Sequence, residues 1–199
     1  MSTRGQVGYI HQGKYAGTYN HSDSYPDGLG EDVVAAVREV KDWDKFKENY
    51  AKLKWVSRDY KPSEEEIEAN SRHADLRVSE QKLTDVYCLL RNIQGADQIP
   101  LIDRGEVTLM IDNKDFIKDS LFCEYAYVLD LDNMMLEFYE GYQRVKQPGN
   151  RFKKAPKSEY YPCKLVAKFP LTDIPEDWMK QAFPPEVEDA HEEQAKIES

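Results

Sequence analysis

Residues 20–30, Asn20-His21-Ser22-Asp23-Ser24-Tyr25-Pro26-Asp27-Gly28-Leu29-Gly30, gather an imidazole, two carboxylates, a phenol, two hydroxyls and two glycines, with Tyr19 immediately before them. An imidazole beside a carboxylate suits general acid–base work, in which the carboxylate orients the ring and the ring moves the proton. His21 and Asp23 are two residues apart, so on an extended chain both side chains project to the same side and can share a metal, a proton or a ligand. The competing reading is structural: Asp23 or Ser24 bonds to nearby backbone, Tyr25-Pro26 sets a turn, and His21 packs.

A second chemistry starts at the N-terminus. Removal of Met1 before the small Ser2 leaves an α-amine beside a hydroxyl, the arrangement of a nucleophile activated by its own amine. Such processing is routine for chains beginning Met-Ser, and oxyanion donors cannot be read from one strand. His11, His73, Glu124 and His191 are further potential ligands, but none stands at a recognised metal spacing, so no metal and no cofactor is assigned. His21, Asp23 and Glu124 form a mixed nitrogen and oxygen site only if the hairpins carrying them lie side by side.

A positive island contrasts with the rest of the chain. Arg144, Lys146, Arg151, Lys153, Lys154 and Lys157 surround Phe152, with Tyr160 and Tyr161 close by. Basic groups mixed with aromatics suit phosphate contacts and base stacking, or an acidic protein partner, while a solvated loop explains the same composition. Cys88, Cys123 and Cys163 are odd in number, widely spaced and without a Cys-x-x-Cys pair, which favours reduced thiols over a disulfide framework or a zinc site. Cys123 sits among Phe122, Tyr125 and Tyr127 and reads as sheet packing, because an apolar setting raises a thiol pKa.

The elements that must position these groups follow from periodicity. Val7 to His11 and Tyr15 to Tyr19 flank a glycine turn and predict an N-terminal hairpin. Pro26, Gly28 and Gly30 mark a turn, and Glu31-Asp32 opens a helix whose apolar stripe is Val33, Val37 and Val40; Trp43, Phe46, Tyr50 and Leu53 continue or restart it. Residues 57–78 form a polar excursion with room for a short helix. Ser79 predicts an N-cap for a helix carrying Leu83, Val86, Tyr87 and Leu90, with Gly95 as its stop. Strands are expected over 106–111, 122–131 and 136–142, the last two joined at Asp132-Asn133. A basic loop over 144–162, a last strand over 164–169 and a short helix around Trp178 complete the pattern.

Thr3-Arg4-Gly5, followed by Tyr19-Asn20-His21-x-Asp23-Ser24-Tyr25-Pro26-x-Gly28-Leu29-Gly30, resembles the opening of a widespread family of uncharacterised bacterial, phage and fungal proteins. The Cys123-Glu124-Tyr125-Ala126-Tyr127-Val128 segment and the hairpin after it are similar to that family too. The resemblance covers the first thirty residues best. It implies no reaction or ligand, but it directs attention to Arg4, Asn20, His21, Asp23 and Tyr25.

A net charge of -10 argues against a diffuse field for nucleic acid or anionic lipid, leaving the loop Arg144–Lys157 as the one place for a nucleic-acid contact. No apolar run is long enough to span a membrane and no apolar leader opens the chain, so a cytoplasmic location is expected. The expected fold is α+β, with an antiparallel sheet built from the N-terminal hairpin and a C-terminal meander, covered by helices, in one domain over 1–183 followed by an acidic tail over 184–199. The expected function is binding of a small molecule or protein through Arg4, Asn20, His21, Asp23 and Tyr25. The alternative is a small hydrolase or transferase using His21 and Asp23, with Ser2 as a possible nucleophile.

Overall fold

A computed structural model describes residues 3–184. Ser2, His191 and all of the 184–199 segment except Pro184 lie outside the described residues. Chain order runs β1 (Gly5–His11), β2 (Lys14–Asn20), α1 (Glu31–Glu39), α2 (Trp43–Tyr50), β3 (Lys54–Val56), α3 (Glu64–Asn70), α4 (Val86–Leu89), α5 (Gln98–Asp103), β4 (Leu109–Ile111), β5 (Tyr125–Asp130), β6 (Met135–Glu140), β7 (Lys164–Pro170) and α6 (Trp178–Ala182). The class is α+β. Among the described residues, no helix is long and apolar enough to cross a membrane.

The main sheet has the order β2-β1-β5-β6-β7. The N-terminal hairpin and the meander both form, with Tyr9 opposite Ala16 and Val128 opposite Glu137. The sheet is nevertheless mixed, which corrects the expectation of an antiparallel one. β1 pairs with β5 in parallel, Val7 facing Tyr127, because the chain crosses back through the helices before it re-enters the sheet. β3 and β4 make a separate parallel pair, Trp55 opposite Met110. Only the end of the predicted 106–111 strand is used.

Both faces of the sheet are covered. On one face Val7, Tyr9, Tyr127, Leu129, Leu136 and Phe138 meet Val33, Val37, Phe46, Ile99, Ile102 and Trp178 from the helices. On the other, Ile10, Ala126, Val128 and Tyr139 lie beneath Ile117, Phe152 and Cys163 from the connecting loops. Burial on two sides explains why β5 reads as an apolar run from Tyr125 to Leu129.

The helix predicted from Ser79 is replaced by a tight wrap. Ser79 and Gln81 have φ of 51° and 56°, and only the four-residue α4 forms, capped by Asp85. The Asp85 carboxylate is buried and accepts from Arg58 Nη1 (2.6 Å), the Tyr87 N–H (3.1 Å), the Glu80 N–H (3.3 Å) and the Cys88 thiol (3.2 Å). Burial alone would raise its pKa, but donors from Ser79, Arg58, Cys88 and Tyr87 hold it well below the usual carboxylate range. Continuing the helix through 80–85 would give up those bonds. The polar excursion at 57–78 does carry a short helix, α3, started by a reciprocal Ser63 and Glu66 cap.

Candidate ligand-binding site

The two parts of the opening motif lock onto each other. Ser24 is fully buried; its N–H donates to the Thr3 carbonyl (3.3 Å), its carbonyl accepts from the Tyr127 hydroxyl (3.0 Å), and its hydroxyl accepts from Asn20 Nδ2 (2.8 Å). Gly5 is required where this turn crosses β1, because a Cβ there would lie 2.6 Å from both Ser24 Cβ and the Tyr125 carbonyl oxygen. Asp23 has φ of 56°, so the chain is not extended at that residue, and the condition under which His21 and Asp23 would project to the same side is not met. The Asp23 carbonyl accepts from the Leu29 N–H (2.9 Å), which leads the chain through a π-helical turn at Pro26–Gly30 into α1.

The other candidate residues separate onto different surfaces. The Tyr19 hydroxyl and His21 Nδ1 share a hydrogen bond of 3.1 Å. Asn20, Ser22 and Asp23 line a shallow polar concavity of about 380 Å³ together with Asp32, Gln94 and Asp97. Tyr25 is exposed and leans on Tyr125, ring centres 6.0 Å apart. Arg4 places its guanidinium 5.2 Å from the centre of the Phe122 ring and gives its backbone N–H to Glu124 Oε1 (3.1 Å). The other oxygen of Glu124 accepts from the Tyr142 hydroxyl (2.8 Å), so this carboxylate is engaged away from His21. Among the described residues, no group of three His, Cys, Asp or Glu side chains is placed to hold a metal ion.

A partly enclosed cavity of about 210 Å³ opens where Tyr19 meets the segment around α4. Leu90, Ile93, Leu109, Met110 and Ile111 give it an apolar lining, and Thr18, Tyr19, Arg58, Tyr87, Gln94 and Asn113 supply its polar groups. Its walls are fixed by bonds from behind. The buried Gln98 amide donates to Thr18 Oγ1 (2.7 Å) and to the Gly95 carbonyl (2.6 Å). Asn113 seals the free edge of β2: its N–H donates to the Gly17 carbonyl (2.6 Å), its side-chain oxygen accepts from the Tyr19 N–H (3.1 Å), and its carbonyl accepts from Gln6 Nε2 (2.7 Å).

Charge collects beside the opening. Arg58 lies 4.5 Å from the Tyr87 ring centre while paired with Asp85, and Arg91 lies 6.0 Å from the same ring centre with Nη1 donating to Gln94 Oε1 (2.8 Å). Burial raises the Tyr19 phenol above its ordinary pKa, and Arg4 and Arg91 pull it back. Sequence periodicity assigned Tyr87 and Leu90 to a helix core and Leu109 to Ile111 to a strand, and no local spacing marks them as walls of one space.

Comparison with protein-family models, curated proteins and solved structures finds no match.

Several of the remaining candidates are engaged in packing, ion pairs or ring contacts. In the basic loop, Phe152 is buried against Tyr15 and Tyr139 (ring centres 4.8 and 5.6 Å), and Arg151 pairs with Asp130 (3.2 Å) and Glu137. These two residues are thus withdrawn from the nucleic-acid contact considered for Arg144–Lys157. Lys154 and Arg144 cover the rings of Tyr161 and Tyr160 at 4.6 and 5.6 Å. Cys123 and Cys163 are buried, and burial drives the Cys123 thiol upward, away from a reactive thiolate. The Tyr9 hydroxyl, His11 Nδ1 and Trp55 Nε1 are buried with no hydrogen-bond partner among the described residues, His11 Nδ1 lying 3.8 Å from Asp132 Oδ1.

Proposed function

We propose that this chain is a binding protein for a small organic molecule held between Tyr19 and Tyr87. The supporting observation is the partly enclosed cavity of about 210 Å³, with an apolar lining and a polar rim. Apolar cavities of about 150 Å³ admit benzene, so a ring or a branched chain of similar size fits here. The polar segment at 19–30 takes part through its first residues: Tyr19 forms the rim and His21 bonds to it.

Substituting Ile93→Phe is expected to fill the space and remove ligand-induced stabilisation, with Ile93→Trp doing so more completely at an overpacking cost of about 1–3 kcal/mol. Thermal denaturation in a library of small aromatic and branched molecules provides the readout. Wild-type protein should show shifts that Ile93→Phe loses while keeping its circular dichroism spectrum. Identical responses from the two proteins would dismiss the cavity.

A second reading is a small hydrolase or transferase in which His21 acts as acid or base. The 3.1 Å hydrogen bond to Tyr19 favours it, because a phenol can orient the ring in the role first given to Asp23. In a broad substrate screen this reading expects turnover that falls about 100-fold or more in His21→Ala. Turnover retained by the folded variant would remove His21 from the chemistry.

A further inference from the structure

The groups beside the cavity mouth carry an imbalance of positive charge in an otherwise acidic chain. Arg58 is neutralised: its guanidinium meets Asp85 at 2.6 Å, and that carboxylate is saturated by donors from its own loop. Arg91 and Arg4 have no carboxylate within ion-pair distance among the described residues. Arg91 acts at longer range on Asp75, but Asp75 is held by Arg77 at 2.9 Å. Arg91 is also positioned: Gln94, a lining residue, accepts from its Nη1 at 2.8 Å, and the Tyr87 ring lies under its guanidinium. Arg91 stands just behind the lining, held against two of its residues, Gln94 and Tyr87, with its charge uncompensated, which suits an anion whose body enters the apolar space.

Resting on the cavity reading above, we infer that the ligand is a small organic acid, its ring or branched chain packed against Leu90, Ile93 and Met110 and its carboxylate facing Arg91 at the mouth. The Tyr87 phenol, whose ring lies against the Arg91 guanidinium, supplies a neutral donor to the same head group. Arg4 adds long-range attraction, since it already acts on the Tyr19 phenol. A neutral molecule of the same shape would fill the cavity and leave the guanidinium unanswered.

Matched pairs test this directly. Binding of phenylacetate and 4-methylpentanoate, and of phenylacetamide and 4-methylpentanamide, is measured by two-dimensional NMR of the full chain, following the Ile93 and Met110 methyl signals. The acids should bind at least ten-fold more tightly than their amides, and the advantage should shrink when salt is raised from 50 mM to 500 mM, as expected for a partly exposed charge pair (screening lengths falling from about 14 Å to about 4 Å). Arg91→Gln should abolish most of the acid preference over the matched amides. Equal binding of acids and amides, or an acid preference untouched by Arg91→Gln, overturns the assignment and leaves the cavity reading standing. Failure of all four molecules to move the methyl signals overturns both.

Discussion

Arg151→Ala is expected to destabilise the protein by about 3 kcal/mol at neutral pH, the lower end of the range for breaking a buried ion pair from one side. The two carboxylates it faces are almost sealed: the side chains of Asp130 and Glu137 are 1% and 2% exposed, while that of Arg151 is 39% exposed. Water therefore moderates the guanidinium's contribution without reaching the acids. Removing it leaves the Tyr139 hydroxyl on Glu137 and the Asn133 donors on Asp130, but no positive charge from Arg151.

The pH dependence gives this result a distinctive form. In the native protein burial raises the Glu137 pKa, against the pull of Tyr139 and Arg151, so Glu137 favours the folded state more as pH falls. Burial also acts to raise Asp130, but Asn133 and Arg151 outweigh it and lower the pKa, so its stabilisation is present above the unfolded value and is lost as pH falls through the folded one. Losing Arg151 shifts both folded-state values upward. The variant's deficit is thus largest where both groups are ionised and shrinks as they protonate. Urea denaturation at pH 7 and pH 4 measures it; equal midpoints at pH 7, or a deficit of the same size at both values, would refute the account.

Gly5→Ala should be of similar size, on the order of 3 kcal/mol, or roughly 10 °C in melting temperature for a chain of this length. One of the three atoms in the way is the backbone oxygen of Tyr125, in the parallel register of β1 and β5, and cannot rotate aside. The other two, Cβ and Oγ, belong to Ser24. Combining Gly5→Ala with Ser24→Gly should recover only part of the loss, because the carbonyl contact persists. A single variant that melts within two degrees of wild type would show that the strands can separate at no cost.

These two sites also show what the sequence could reveal. The hairpin, the start of α1, the β5–β6 turn and the final strand and helix were legible because periodicity, a glycine turn and acidic residues at a helix start act locally. The parallel contact of β1 with β5 was not, since the partners are separated by the whole helical crossover. The stretch after Ser79 misled for a different reason. Its apolar spacing is helical, but one buried carboxylate, Asp85, draws backbone and side-chain donors around itself, and hydrophobic spacing does not register that competition. Within the motif at 19–30, residue types marked a site of interest without separating roles: Ser24 braces β1, Tyr19 faces a cavity, and Asp23 bends the chain. The cavity itself draws on β2, α4 and β4, each of which reads as ordinary packing by itself.

The seal that Asn113 places on β2 bears on how copies of the protein meet. Its main-chain and amide groups occupy bonding positions at Gly17 and Tyr19 that an incoming strand would otherwise take. At the opposite rim, β7 presents Lys164 and Lys168 outward. Concentrated solutions should resist growth into fibrils by edge-to-edge stacking, one rim being occupied and the other guarded by like charge.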